Sequence, residues 1–154
     1  MSKHLMFRGE TWSGDAFEFF DRRRLRGAVM RARRFERQHR LRFHAIAGCG
    51  ISGTVPATLL SQEMDRELLL LRKPNDKRGD YQKLVGAVPD GTSSGVTNYL
   101  VIDDLIESGR TMTHIRKLIE SQQGTVAAIM LYARGGYDHL QTWKGIPVIE
   151  LADV

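Results

Sequence analysis

Residues 99–112, Tyr99-Leu100-Val101-Ile102-Asp103-Asp104-Leu105-Ile106-Glu107-Ser108-Gly109-Arg110-Thr111-Met112, decide the reading of this chain. The stretch opens as an unbroken apolar run, the pattern of a strand buried on both faces. Two adjacent carboxylates end the strand, a short Ser-Gly-Arg-Thr turn follows, and Met112 to Ile119 has helical spacing. Such a turn presents unpaired backbone N–H groups at the positive end of a helix dipole, which suits a phosphate. Ser108 and Thr111 add hydroxyl donors, and Gly109 admits close approach of the backbone. Asp103 and Asp104 suit sugar hydroxyls or a hard cation such as Mg2+. The plainer alternative is an ordinary strand-to-helix turn, with Ser108 as a cap and both aspartates solvated.

Upstream, Phe43 to Ala47 reads as a short strand. Gly48-Cys49-Gly50-Ile51-Ser52-Gly53 reads as a glycine-rich loop, and Val55 to Met64 as a helix with Pro56 in its first turn. Cys49 reads as a small buried residue rather than a nucleophile, since no His-Asp set accompanies it. Glu67 to Leu71 is a further buried strand. The basic run Arg72-Lys73-Pro74-Asn75-Asp76-Lys77-Arg78-Gly79-Asp80 reads either as a solvated turn or as a mobile flap over a polyanion. Flexible character is expected over about residues 72–98, with a hairpin arm near Tyr81 to Val88. Downstream come a helix over roughly 111–122 ended by Gly124, a strand over Val126 to Tyr132, a turn at Arg134-Gly135-Gly136, and a final strand at Pro147 to Leu151.

Before the first strand, Ala16 to about Gln38 carries Phe17, Phe20, Leu25, Ala28, Val29, Ala32 and Phe35 at helical spacing, with arginines mainly on the other side. One or two helices are expected, with Gly27 as the candidate break. Alternating strands and helices imply an α/β fold with a parallel sheet flanked by helices. Ligands on such sheets bind at the carboxyl ends of the strands. That rule brings Gly48–Gly53, Arg72–Asp80, Asp103–Thr111 and Arg134 to one edge.

The chain has 154 residues, 42% hydrophobic and 27% charged, which suits one globular domain. No apolar run is long enough to span a membrane, and no secretory signal is apparent, so a cytoplasmic protein is expected. One cysteine excludes an internal disulfide and a Cys-rich zinc site. The net charge of +5 is uneven: residues 1–43 hold 12 Lys and Arg against 5 Asp and Glu, leaving 11 against 13 for the remainder. Such a surplus attracts polyphosphates or nucleic acid. On an amphipathic helix it is more often a solvated face, and with no zinc spacing or aromatic ribonucleoprotein motif nucleic acid is not expected as a partner.

VIDDLIESGRTM resembles the PRPP-binding signature of the type I phosphoribosyltransferases: apolar residues, two acids, three variable residues, then Ser/Thr-Gly-x-Thr. The resemblance covers roughly residues 43–135. It implies a type I phosphoribosyltransferase-like domain over residues 1–154, with a hood from 132–154, the N-terminal segment or both. It further implies a pentosyltransferase that joins a nucleobase to 5-phosphoribosyl 1-diphosphate (PRPP) with release of diphosphate, needs Mg2+ and acts as a homodimer. Asp103 and Asp104 would bind the ribose hydroxyls and, indirectly, the metal. Glu107, Ser108, Gly109, Arg110 and Thr111 would wrap the 5′-phosphate. Cys49, Gly50 and Ile51 lie in the loop that would take the diphosphate.

Arg72, Lys73 and Lys77 would neutralise the leaving group. Arg72-Lys73-Pro74 resembles the catalytic loop of adenine and orotate enzymes, although the histidine of the orotate loop has no counterpart. Glu107 stands where the 6-oxopurine enzymes place an aspartate that accepts the N7 proton. Tyr132-Ala133-Arg134 resembles their aromatic-Ala-Lys segment, with Trp143 or Tyr137 to stack on the base. A 6-oxopurine (hypoxanthine, guanine or xanthine) is the expected acceptor, with orotate or adenine as alternatives. A non-catalytic PRPP or nucleotide sensor is the other reading. PRPP synthetase-like chemistry is disfavoured by the chain's length.

Overall fold

The computed structural model describes residues 6–7, 10–11, 22–72, 83–85, 97–132 and 141–151. In chain order these form β1 (Met6–Phe7), β2 (Glu10–Thr11), α1 (Arg22–His39), β3 (Ala45–Cys49), α2 (Gly50–Met64), β4 (Glu67–Leu71), β5 (Lys83–Val85), β6 (Thr97–Asp103), α3 (Arg110–Ser121), β7 (Gly124–Leu131), β8 (Thr142–Trp143) and β9 (Ile146–Glu150). Strands β1 and β2 make a separate antiparallel pair, and the others form one sheet in the order β5-β4-β3-β6-β7-β9-β8. Pairs β3–β4, β3–β6, β6–β7 and β7–β9 are parallel, whereas β4–β5 and β8–β9 are antiparallel.

The apolar run of β6 is buried on both faces because the pleat sends alternate side chains to opposite sides. Leu100 and Ile102 join one core with Ala28, Ala32 and Phe35 of α1 and Ala57, Leu60 and Met64 of α2. Tyr99 and Val101 join the other with Met112, Ile115 and Ile119 of α3. The three- and four-residue spacing of those α3 residues is the stripe that docks a helix on a sheet. No helix among the described residues is long and apolar enough to cross a membrane.

Two sequence expectations need correction. Helix α1 is continuous from Arg22 to His39, with no break at Gly27. The glycine-rich stretch is not an open loop: β3 runs to Cys49 and α2 starts at Gly50, so Pro56 lies inside the helix rather than in its first turn. Gly50, at φ +66, reverses the chain in one residue. A Cβ on Gly48 would lie 2.2 Å from the carbonyl oxygen of Gly53, so these two glycines serve the close packing of helix on strand.

Of the segments from which a hood was expected, 142–150 contributes strands of the main sheet, and β1–β2 occupies part of the N-terminal segment. The expected flexible loop includes β5, while residues 73–82 and 86–96 lie outside the described residues.

Candidate functional site

The carboxyl end of β6 and the N-terminus of α3 enclose a cleft of about 240 Å3, lined by Ser52 and residues 103–112. Parallel β3–β6–β7 pairing brings the ends of those strands to this edge. Asp103 is buried. Its Oδ1 accepts hydrogen bonds from Ser52 Oγ at 2.8 Å and from the Asp104 amide at 2.9 Å. Burial, and then the charge of Asp104, pushes the Asp103 carboxyl up to about 7, while the two hydrogen bonds pull the other way. Asp104 is half-buried, and its Oδ1 accepts the Leu105 amide at 2.8 Å.

Beyond the acid pair the chain presents donors. Gly109 holds φ +76 at the start of α3, and the Arg110 amide is capped by Ser108 Oγ at 3.3 Å. The amides of Glu107, Ser108, Gly109, Thr111 and Met112 donate to nothing among the described residues. Five unpaired N–H groups at a helix N-terminus form an anion cradle, and the acid pair stands at its edge.

Glu107 and Arg110 are exposed and pair with no charge among the described residues, so Glu107 is not held by Arg110. The Trp143 indole closes the loop from β8. A Cβ added at Gly109 would lie 3.3 Å from Trp143 Nε1. The Lys144 ammonium stands 5.0 Å from the Trp143 ring centroid.

The other expected residues lie further out. Cys49 is buried in the core beside Leu71 and Met112 and does not line the cleft. Gly50 and Ile51 open α2 next to Ser52, with Ile51 exposed. Arg72 is half-buried just past β4. Lys73, Lys77, Arg134 and Tyr137 fall outside the described residues.

The sequence reading named Ser52 and Tyr132 only as members of longer segments and missed what each one holds. Ser52 is tied to Asp103, and Tyr132 Oη donates to the Ser52 carbonyl at 2.6 Å. That carbonyl is open because Pro56, four residues on, has no N–H to give it. A proline four residues after a serine is the only signal the sequence offers.

No group of three or more His, Cys, Asp or Glu capable of holding a metal occurs among the described residues. The donor set still fits Mg2+, which favours one or two carboxylates plus substrate phosphates over an all-protein cage. The Asp103 and Asp104 carboxyls lie side by side and interact with each other, and a cation held between them would relieve their mutual repulsion.

No model of a known protein family matches the chain. Among curated proteins it is similar to the transcriptional regulator GfcR of Methanocaldococcus jannaschii, 25% identical over 117 residues that cover 74% of this chain and 54% of that protein. GfcR of Methanosphaerula palustris is 30% identical over 107 residues, covering 68% and 50%. The chain therefore spans about half the length of the curated relatives it matches. Among solved structures, the adenine phosphoribosyltransferase of Thermoanaerobacter pseudethanolicus superposes with a TM-score of 0.60 at 18% identity, over 92% of this chain and 87% of that one. The orotate phosphoribosyltransferase of Francisella tularensis gives 0.58 at 15% identity, over 98% and 78%. The chain has the type I phosphoribosyltransferase fold.

Proposed function

We propose that the protein binds PRPP with Mg2+ at the β6–α3 edge and transfers its ribosyl 5-phosphate to a nucleobase. The observation that carries this reading is the juxtaposition, in one cleft, of the Asp103–Asp104 pair with the amides of residues 107–109, 111 and 112, which are unpaired among the described residues. The amides and the α3 dipole hold the 5′-phosphate, and the two carboxylates hold the ribose hydroxyls. Mg2+, when bound, neutralises diphosphate charge next to the carboxylates. The bond from C1 of the ribose to diphosphate breaks as a ring nitrogen of the base bonds to C1. Arg72, Lys73 and Lys77 are assigned to the leaving diphosphate, where charge grows most in the transition state.

The acceptor we assign is a 6-oxopurine. Glu107 is an exposed carboxylate on the cleft wall with no charge partner among the described residues, placed to accept the N7 proton, and such general-base help is worth roughly 10²–10⁴ in rate. Arg134 is assigned to the exocyclic oxygen and Trp143 to the base. The Trp143 contact with Gly109 supports a position at the rim of the phosphate loop.

A second reading follows from the name carried by the curated relatives: a PRPP-responsive transcriptional regulator without turnover. A diphosphate-release screen separates the two. The protein is incubated with PRPP, Mg2+ and, in turn, hypoxanthine, guanine, xanthine, adenine, orotate and uracil. Release with a 6-oxopurine, abolished by Glu107→Gln, is the expected result. Release only with adenine or orotate refutes the base assignment. Calorimetric binding of PRPP without release from any base supports the regulator.

A further inference from the structure

A groove of about 1050 Å3 runs between α1 and β9 and shares no lining residue with the acidic cleft. Met30, Phe35, Val148 and Ile149 supply its apolar part, arginines of α1 form its rim, and Glu150 is the one carboxylate on its lining among the described residues. The arginines of this helix divide into two groups. Arg24 is buried and donates to the Tyr132 carbonyl at 3.2 Å, while Arg31 donates to the Glu150 carbonyl. These two fasten α1 to the ends of β7 and β9. Arg26, Arg33, Arg34 and Arg37 are exposed and have no hydrogen-bond or carboxylate partner among the described residues.

The one carboxylate of α1 does not offset them. Glu36 accepts the Phe43 amide at 2.8 Å and pairs with Arg66 at 3.4 Å. Arg33 and Arg37 stand one helical turn apart, and like charges at that spacing weaken a helix. A bound anion relieves this repulsion, and the groove beside the rim gives such an anion a place to lie.

We propose that the groove binds the sugar–phosphate backbone of duplex DNA. Arg26 to Arg37 spans about 16 Å of helix axis, longer than a single diphosphate and suited to a run of phosphates. Guanidinium forks match phosphate oxygens two at a time. A second copy of the chain docked symmetrically on this face would set the rim against itself. Single strands call for exposed aromatic platforms. Phe35, however, is only 8% exposed and stacks on His39 at 4.0 Å and on Phe43 at 5.7 Å. Val148 and Ile149 make the floor apolar, which suits a deoxyribose backbone better than a ribose 2′-hydroxyl, while Gln38 and Glu150 lie elsewhere on the lining. The contacts of this rim are guanidinium-to-phosphate contacts, so recognition is of the backbone and independent of sequence.

The test is fluorescence anisotropy of the full chain with a labelled 20-base-pair DNA duplex across a salt series. Matched duplex RNA, single-stranded DNA and polyglutamate serve as competitors. Wild type is expected to bind duplex DNA with Kd of about 1–100 μM near physiological salt, and displacement is expected to follow duplex DNA first. Arg33→Ala/Arg37→Ala and, independently, Arg26→Ala/Arg34→Ala should each weaken binding at least tenfold. Each should also flatten the log–log salt slope by about 2. Circular dichroism melts show which pair remains folded. Calorimetric PRPP binding should be unchanged in both, so the failure of this proposal is separate from failure at the cleft. No binding by wild type, unchanged affinity in a folded variant, or stronger displacement by RNA, single-stranded DNA or polyglutamate overturns it.

Discussion

The Tyr132 hydroxyl donates to the Ser52 carbonyl at 2.6 Å, joining the end of β7 to the first turn of α2 at a carbonyl that Pro56 leaves without a helical donor. The same Ser52 gives its own hydroxyl to Asp103. One side-chain donor from a distant strand thus holds the residue that holds the acid pair.

Removing that donor leaves a half-buried carbonyl unsatisfied. Tyr132→Phe is expected to lower unfolding free energy by about 1–3 kcal/mol in denaturant titrations. Pro56→Ala returns an N–H four residues beyond Ser52, so the double variant should recover part of the loss. A strictly additive double-mutant cycle would contradict this coupling.

Asp103 makes stability depend on pH with a definite sign. Its carboxyl ionises near 3.8 in the unfolded chain and near 7 in the folded protein, chiefly because it is buried. Between those values the folded state holds the extra proton, so stability falls as pH rises from about 4 to about 7 and levels off above. Asp103→Asn should abolish that slope in melts across the range. Ser52→Ala removes a bond that favours the carboxylate, so the slope should extend to higher pH.

PRPP binding should need the acid pair. Asp103→Asn with Asp104→Asn removes both charges at nearly constant size. Calorimetry with Mg2+ present is expected to show at least a tenfold loss, about 1.4 kcal/mol. Wild-type affinity should strengthen as pH rises through about 7, when Asp103 becomes the carboxylate. Unchanged affinity in the double variant would remove the ribose and metal roles.

Gly109→Ala tests the phosphate loop. The residue holds φ +76, and a Cβ there would meet the Trp143 indole. The left-handed backbone alone costs an L-residue roughly 1–2 kcal/mol. PRPP affinity should fall more than stability does, and Trp143 fluorescence should report the displaced loop. Wild-type affinity with unchanged fluorescence would rule out a tight loop–indole contact.

Much of this architecture was legible in one dimension because its determinants are local. The unbroken apolar run before Asp103 is enough for a strand buried on both faces, and Met112, Ile115 and Ile119 are enough for a helix docked on it. Strand β4 was read at its observed limits, Glu67–Leu71, and β6, α3 and β7 to within two residues or so. The acid pair and Gly109 stood out because the backbone chemistry of a phosphate turn is written in consecutive residues.

Other features depend on residues far apart in the chain. Composition suggested a glycine loop at 48–53. The need to seat α2 on β3, with Gly48 against Gly53, made it a strand end and a helix start. Ser52 reaches Asp103 across 51 positions, Tyr132 reaches Ser52 across 80, and Arg24 reaches Tyr132 across 108. Only packing divides the arginines of α1 into anchors and rim, since all are equally charged and alike in the sequence. Periodicity encodes which face of an element is buried; which partner occupies that face is settled when the sheet closes and each buried polar atom must find a partner.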